Sequence, residues 1–104
     1  MRQVLHGDII AAARCLVEIP PSDRAAAISD MLYHAHTADK VTKRTGVPHK
    51  TWGNGSLMAA ALPRPKHAEP SLSNLDYLAA LHIILDALMA WRQSRRASIQ
   101  RHPA

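Results

Sequence analysis

Histidines are the most frequent residues in this chain whose side chains can perform acid–base or metal chemistry. There are seven of them, together with a single cysteine, Cys15. His34 and His36 lie two positions apart on a predicted helix and point about 200° apart, so they cannot bind one metal ion together. The other histidines are scattered, without HxxxH or CxxC spacing. The pattern therefore predicts no metal site and no cofactor.

Two further features could belong to a catalytic site. His82 and Asp86 are four positions apart, so the carboxylate can orient the imidazole, as it does in many enzymes. The spacing places no nucleophile beside them, and it is also typical of an ordinary pair on a helix surface. Cys15 shares its helix face with core residues, and buried thiols are usually inert. We therefore predict a protein that is not an enzyme.

The most distinctive string is His-Lys-Thr-Trp-Gly-Asn-Gly-Ser at positions 49–56. It lies at the start of a predicted helix, where free backbone N–H groups and the helix dipole favour an anion. A structural interpretation competes with this one: Asn54 caps the helix while Trp52 anchors the loop in the core. The spacing of a phosphate-binding P-loop is absent. A small enzyme built around this loop with His49 or His82 stays open as an alternative function.

Basic side chains form two blocks that contain no acidic residue. The segment 40–67 has six, among them Lys40, Lys43, Arg44 and Lys50, and the segment 92–104 has four, Arg92, Arg95, Arg96 and Arg101. Such blocks favour a polyanion or an acidic protein surface as the partner, and ordinary solubility charge is the alternative. We predict these eight side chains as the nucleic-acid or partner contacts.

The elements that must position these residues are predicted to be helices only. Alanine is abundant and phenylalanine absent, a composition that favours closely packed helices over strands. The local end signals are Asp8 in the first turn of the first helix, Gly46 as the cap that ends the second, and Ser73 with Asp76, which resembles a capping box, at the start of the fourth. Together with apolar periodicity they predict helices near 8–18, 22–45, 54–62 and 74–96. We expect one all-α domain over 1–104, in which the two long helices form an antiparallel pair and the basic tail is frayed from about 97.

The last helix has a coiled-coil-like seam, Leu78, Leu81, Leu85 and Leu88, at 3-4-3 spacing. Its apolar arc is wider than one neighbouring helix can cover in a chain of this size. We therefore predict a homo-oligomer that assembles through these leucines.

The location of the protein is predicted from what the sequence lacks. One thiol cannot form an internal disulfide, which favours a reducing compartment. No run approaches the ~20 apolar residues of a membrane span, and no signal peptide is visible. We expect a cytoplasmic protein without a membrane partner.

Three strings of the sequence resemble a family of short, largely uncharacterised alphaproteobacterial proteins. They are Val-Leu-His-Gly-Asp at 4–8, Arg-Thr-Gly at 44–46 and Trp-Gly-Asn-Gly-Ser-Leu-Met-Ala-Ala-Ala-Leu at 52–62. The chain is also similar, more weakly, to small terminase subunits of phage-like DNA-packaging systems. That resemblance implies a helical protein that assembles into rings through a helical hairpin, binds DNA and passes it to a large terminase. No helix-turn-helix reader is visible at the N-terminus, which departs from that pattern.

Together these observations predict a non-enzymatic helical adaptor that self-associates and binds nucleic acid electrostatically, for example in DNA packaging. The alternative is a protein-only module that binds a larger acidic partner.

Overall fold

The part of the chain that the structure describes is all-α and contains four α-helices. The computed structural model describes the backbone of residues 1–101 and the side chains of residues 1–95. The helices are α1 (His6–Val17), α2 (Arg24–Thr45), α3 (Leu57–Ala61) and α4 (Leu75–Arg101), and a short 3-10 helix, Pro21–Asp23, precedes α2. The predicted fold class is therefore confirmed.

Small side chains line the inner faces of α1 and α2, and each of these helices packs mainly against α3 and α4. The alanines on the inner faces of these helices are almost fully buried. Between them lie the largest fully buried apolar side chains, Leu16, Ile28, Met31, Leu57 and Ile84, which come from all four helices. Because the chain has no phenylalanine, branched and flexible side chains take the place of aromatic rings among these residues.

The third helix is shorter than the sequence predicts. It begins at Leu57 rather than near 54, because Gly53 and Gly55 have φ angles of 80° and 104°. A right-handed helix requires negative φ angles, so these glycines keep the preceding residues in a loop.

The start of α4 also differs from the prediction. Ser73 with Asp76 suggested a capping box, but the cap is Asn74, whose side-chain oxygen accepts a hydrogen bond from the Tyr77 N–H at 3.0 Å. Asp76 is instead bound by Arg24, whose Nη1 and Nη2 donate to the two carboxylate oxygens at 2.8 and 3.1 Å. Arg24 is buried and its Nε also donates to the Ile19 carbonyl. The Arg24 side chain therefore links the start of α2 to the start of α4 and to the segment that follows α1.

The two long helices run in the same direction, so the expected antiparallel pairing is wrong. Arg24 at the start of α2 contacts Asp76 at the start of α4. Further along both helices, the rings of His36 and Trp91 are in contact, with their centroids 5.4 Å apart. The segment 46–74 between them, which includes α3, is long enough to carry the chain back to the end where α2 began. A short turn between the helices would have made them antiparallel.

No helix among the described residues is long and apolar enough to cross a membrane. The backbone of α4 is helical to Arg101, past the predicted end near 96. Residues 102–104 lie outside the described part of the chain, and the frayed tail stays a prediction.

Candidate functional site

The loop between α2 and α3 is held by its own backbone and by one imidazole. His49 and Gly53 exchange backbone hydrogen bonds of 2.8 and 3.1 Å. The His49 Nδ1 accepts hydrogen bonds from the N–H groups of Thr51 and Trp52 at 3.0 and 3.1 Å. Because an atom that accepts two N–H groups must carry a lone pair, Nδ1 is unprotonated in this arrangement.

Trp52 lies between two histidines. Its ring stacks on His34 of α2, with a centroid distance of 4.0 Å, and on His49, at 4.5 Å, and both ring pairs are nearly parallel. Trp52 is half-buried and outside the hydrophobic core cluster, although the sequence suggested that it packs into the core. Burial lowers the pKa of His34, an effect that Asp30 opposes.

The N-terminus of α3 is filled by side chains of the protein. Ser56 is its cap, since its Oγ accepts from the Ala59 N–H at 3.1 Å, and the Asp8 carboxylate of α1 accepts from the Met58 N–H at 2.9 Å. The expected cap, Asn54, instead accepts from the Ser56 N–H within the loop. A carboxylate of the protein thus takes the place of the external anion that the sequence suggested.

Asp39 is a buried carboxylate that the sequence analysis missed. It accepts from the Met1 ammonium at 3.1 Å and from Lys43 at 3.0 Å. Burial, the largest single influence, raises the pKa of Asp39, but the hydrogen bonds and positive charges of Lys43 and the Met1 ammonium together outweigh it, so the pKa is lowered. The spacing of Asp39 and Lys43 was a visible signal, whereas the contact with Met1 depends on tertiary structure. Lys43 therefore has a carboxylate partner, and it is exposed, as are Lys40, Arg44 and Lys50.

The two basic blocks approach one another beside His36. Its ring meets Trp91 of α4 edge to face, and the Arg95 guanidinium lies 5.6 Å from the centre of the Trp91 ring. The pKa of His36 is lowered first by burial and then by the positive charges of the Met1 ammonium, Arg95 and Lys40. Lys40 lies one helical turn beyond His36 and Arg95 one turn beyond Trp91, so the contact between the two rings brings the two basic blocks to the same region of the molecule. Arg92 is exposed on α4, and the side chains of Arg96 and Arg101 lie outside the described residues.

The leucine seam of α4 divides between the core and the surface. Leu81 and Leu88 are half-buried and pack against the core cluster, whereas Leu78 and Leu85 are exposed, as is Met89. We call Leu78, Leu85 and Met89 the outer face of α4. An open depression of about 470 Å³ lies here, lined by Leu85, Leu88, Met89, Arg92 and Gln93.

Among the described residues, Cys15 and the His82–Asp86 pair, which could do catalytic chemistry, do not form one site. The Nε2 of His82 lies 3.2 Å from a carboxylate oxygen of Asp86, and both side chains are exposed on α4. Cys15 is buried, its Sγ is 3.6 Å from the Ala61 carbonyl oxygen, and burial raises its pKa although Lys66 and two arginines oppose this. No group of three or more metal-ligating side chains occurs among the described residues.

Comparison with known proteins identifies the family to which this arrangement belongs. Residues 2–88 match a domain of unknown function, DUF7742. The chain belongs to the DUF7742 family. The match covers α1 to α3 and α4 as far as Leu88, so it includes Lys40 and the Trp52 loop but ends before Arg92.

The DUF7742 description is in line with the expected resemblance to an uncharacterised family, and it names neither a terminase nor a bacterial group. No curated protein and no solved structure matches the chain.

Proposed function

We propose that this DUF7742 protein is a non-enzymatic helical adaptor that assembles with itself and binds nucleic acid through the phosphate backbone. The observation that supports nucleic-acid binding is the ring contact between His36 and Trp91, since Lys40 lies one helical turn beyond His36 and Arg95 lies against Trp91. Because α2 and α4 run in the same direction, their basic C-terminal halves lie at the same end of the molecule. An antiparallel pair would have separated the two blocks.

Phosphate neutralisation is the physical basis of this proposal. A nucleic-acid backbone has closely spaced negative charges, and each cation that contacts a phosphate releases condensed counterions. Lys40, Arg44, Lys50, Arg92 and Arg95 are all exposed, so their charges are accessible to such a backbone. Contacts of this kind do not read base edges, and we therefore propose binding that is largely independent of sequence.

Self-association is supported by the exposed outer face of α4, which has three large apolar side chains in one stripe. A narrower form of the proposal, a DNA-packaging subunit similar to a small terminase, rests on the sequence resemblance alone.

The test is a salt titration of a labelled random duplex. For the parent chain, the logarithm of the affinity should fall linearly with the logarithm of the salt concentration. Lys40→Gln and Arg95→Gln should each reduce that slope by about 0.9 if each residue contacts one phosphate. Arg64→Gln is the matched control because it removes the same charge from another place. The charge of Arg64 affects the pKa of His34 and is not among the causes of the pKa shift of His36.

Two outcomes would contradict the proposal. If the parent chain does not bind the duplex even at low salt, an acidic protein becomes the better partner. If Arg64→Gln reduces the slope as much as the other two variants, only net charge matters and the surface around His36 is not the contact.

A further inference from the structure

The turn at residues 49–53 depends on one lone pair of an imidazole. The Nδ1 of His49 accepts the N–H groups of Thr51 and Trp52 at 3.0 and 3.1 Å. A neutral imidazole has one nitrogen without a hydrogen and can make these bonds, whereas an imidazolium has an N–H at both nitrogens. Protonation of His49 therefore replaces the acceptor with a donor that faces two other donors.

The same ring covers one face of Trp52. The His49 and Trp52 rings are stacked with an interplanar angle of 6°, and His34 covers the other face at an angle of 4°. An imidazolium is attracted to the face of an indole, so the stacking alone does not release a protonated His49. Against this single contact, the turn loses two hydrogen bonds and places three N–H groups against one another. The hydrogen bonds therefore decide where the protonated ring lies.

The surroundings of His49 allow its ring to leave without moving the core. Residues 46–48 and 50–51 are exposed, so the ring can turn into solvent. Two backbone hydrogen bonds between His49 and Gly53 close the turn independently of the side chain. Gly53 also lies so close to α3 that a Cβ on it would be 2.6 Å from the Cβ of Ala59. The loop can therefore stay attached while the imidazole moves.

Charged groups from three segments surround the two histidines. Asp30 belongs to α2, Lys50 is next to His49 in the loop, and Arg64 follows α3. Burial lowers the pKa of His34, Asp30 opposes this, and the charges of Arg64 and His49 lower the pKa further. The two imidazoles thus oppose each other's protonation. A neutral His34 is favoured, and it can keep its face of the indole covered.

We propose that His49 is a pH-sensitive switch whose imidazolium leaves the turn in acid and uncovers one face of Trp52, while the helices stay folded. The proposal goes beyond the proposed function and does not depend on it. The closed turn requires an unprotonated Nδ1, so the open form binds one more proton and acid favours it. While only the open form is protonated, the ratio of open to closed loop should rise about tenfold for each unit by which the pH falls.

Fluorescence of Trp52 provides the first test. Trp52 is the only tryptophan left in a Trp91→Phe variant, since the chain has two. Acrylamide quenching is measured between about pH 8 and pH 5, on either side of the ordinary histidine pKa of about 6.5. The quenching constant should rise on acidification while the far-UV circular dichroism stays constant. His82→Gln, a change at an exposed histidine of α4, is the control and should leave the rise unchanged.

Two variants in the same background identify the group that takes up the proton. His49→Asn has an amide oxygen that can accept the same backbone N–H groups, as in an Asx turn, but does not titrate. Its quenching should therefore be independent of pH. His34→Gln should keep the rise, because it changes the other face of the indole. In the parent chain, the NMR signals of the Thr51 and Trp52 amide protons should move upfield over the same pH range as they lose their acceptor.

Several results would overturn the proposal. Quenching and amide signals that do not change with pH would show that the ring stays in place. An equal rise in His49→Asn, or the loss of the rise in His34→Gln, would assign the effect to another group. A helical signal that falls together with the rise would mean that the helices unfold, so that the loop does not respond by itself.

Discussion

At the scale of single residues, two glycines with left-handed backbone conformations have different surroundings. Gly46 ends α2 with a φ angle of 74°, and a Cβ built there meets nothing within 4 Å. Gly55 has a φ angle of 104°, and a Cβ there would lie 2.6 Å from the Cβ of Asp39 and 2.7 Å from its Cα. The loop therefore approaches the backbone of α2 directly, and at Gly55, unlike Gly46, space as well as conformation requires glycine.

We expect Gly46→Ala to lower the free energy of unfolding by about 1–2 kcal/mol, the cost of a left-handed conformation for a residue with a Cβ. Gly55→Ala should lower it considerably more, because the backbone of a packed helix would have to move. Urea denaturation of the two variants beside the parent measures both effects. Equal losses would mean that the loop can retreat from Asp39.

At the scale of elements, α1 and α3 are joined by a carboxylate. Asp8 is buried, and its two oxygens accept from the Leu5 N–H at 2.8 Å and the Met58 N–H at 2.9 Å. One side chain thus satisfies a donor at the start of each helix. The sequence showed only the first of these roles, since an acidic residue in the first turn is a local signal.

Asp8→Ala should destabilise the protein by roughly 1–3 kcal/mol for each buried donor that loses its acceptor. Asp8→Asn, which keeps one acceptor oxygen, should lose less than the alanine variant. Asp23→Ala, a change at an exposed carboxylate, is the control and should have little effect. The measurement is chemical denaturation at neutral pH, and equal stability of the Asp8 variants and the control would show that the link between α1 and α3 is dispensable.

At the scale of the whole molecule, α2 presents histidines to two different parts of the structure. His34 stacks on the Trp52 loop, and His36 contacts Trp91 of α4. Burial is the largest cause of the lowered pKa of each. Around His36, the Met1 ammonium, Lys40 and Arg95 add to this effect, and Asp39 opposes it. Both contacts therefore favour neutral imidazoles.

A histidine with a lowered pKa in the folded state takes up its proton more readily when the chain unfolds. The free energy of unfolding should therefore fall as the pH drops below about 6.5, the pKa of an unfolded-chain histidine, and level off below the folded-state values. The double variant His34→Gln, His36→Gln should be less stable at neutral pH but show a flatter pH dependence between about pH 7.5 and 5.

Urea denaturation across this pH range provides the measurement, and His6→Gln, a change at an exposed residue, is the control. A parent chain whose stability rises on acidification, or a double variant as steep as the parent, would contradict this assignment.

The ends of the helices show which features can be predicted from a few consecutive residues. Gly46 was correctly predicted to end α2, because a left-handed glycine after a helix is a property of a few consecutive residues. The beginning of α4 was placed within one residue, but its cap was assigned to Ser73 instead of Asn74. Asp76 misled that assignment, since its partner, Arg24, is distant in the chain and no local rule reveals it.

The candidate surfaces divide in the same way. The basic blocks and the apolar repeat of α4 consist of residue types at fixed positions in the chain, so the sequence alone identified both. It could not divide the repeat into core-facing Leu81 and Leu88 and exposed Leu78 and Leu85, because the apolar arc is wide and the neighbours of α4 choose which part is covered. The histidine stack around Trp52 was likewise not predicted, since it joins α2 to a loop.

The sequence by itself determined the all-α class, the approximate extent of each helix and the positions of the charged blocks, because alanine content, periodicity and local caps act within a few residues. Only the tertiary structure decided that α2 and α4 run in the same direction. That choice depends on how the segment 46–74 returns across the bundle and on the ion pair between Arg24 and Asp76. It places the basic C-terminal halves of α2 and α4 at the same end of the molecule and leaves the outer face of α4 exposed, and these two surfaces are the basis of the proposed function.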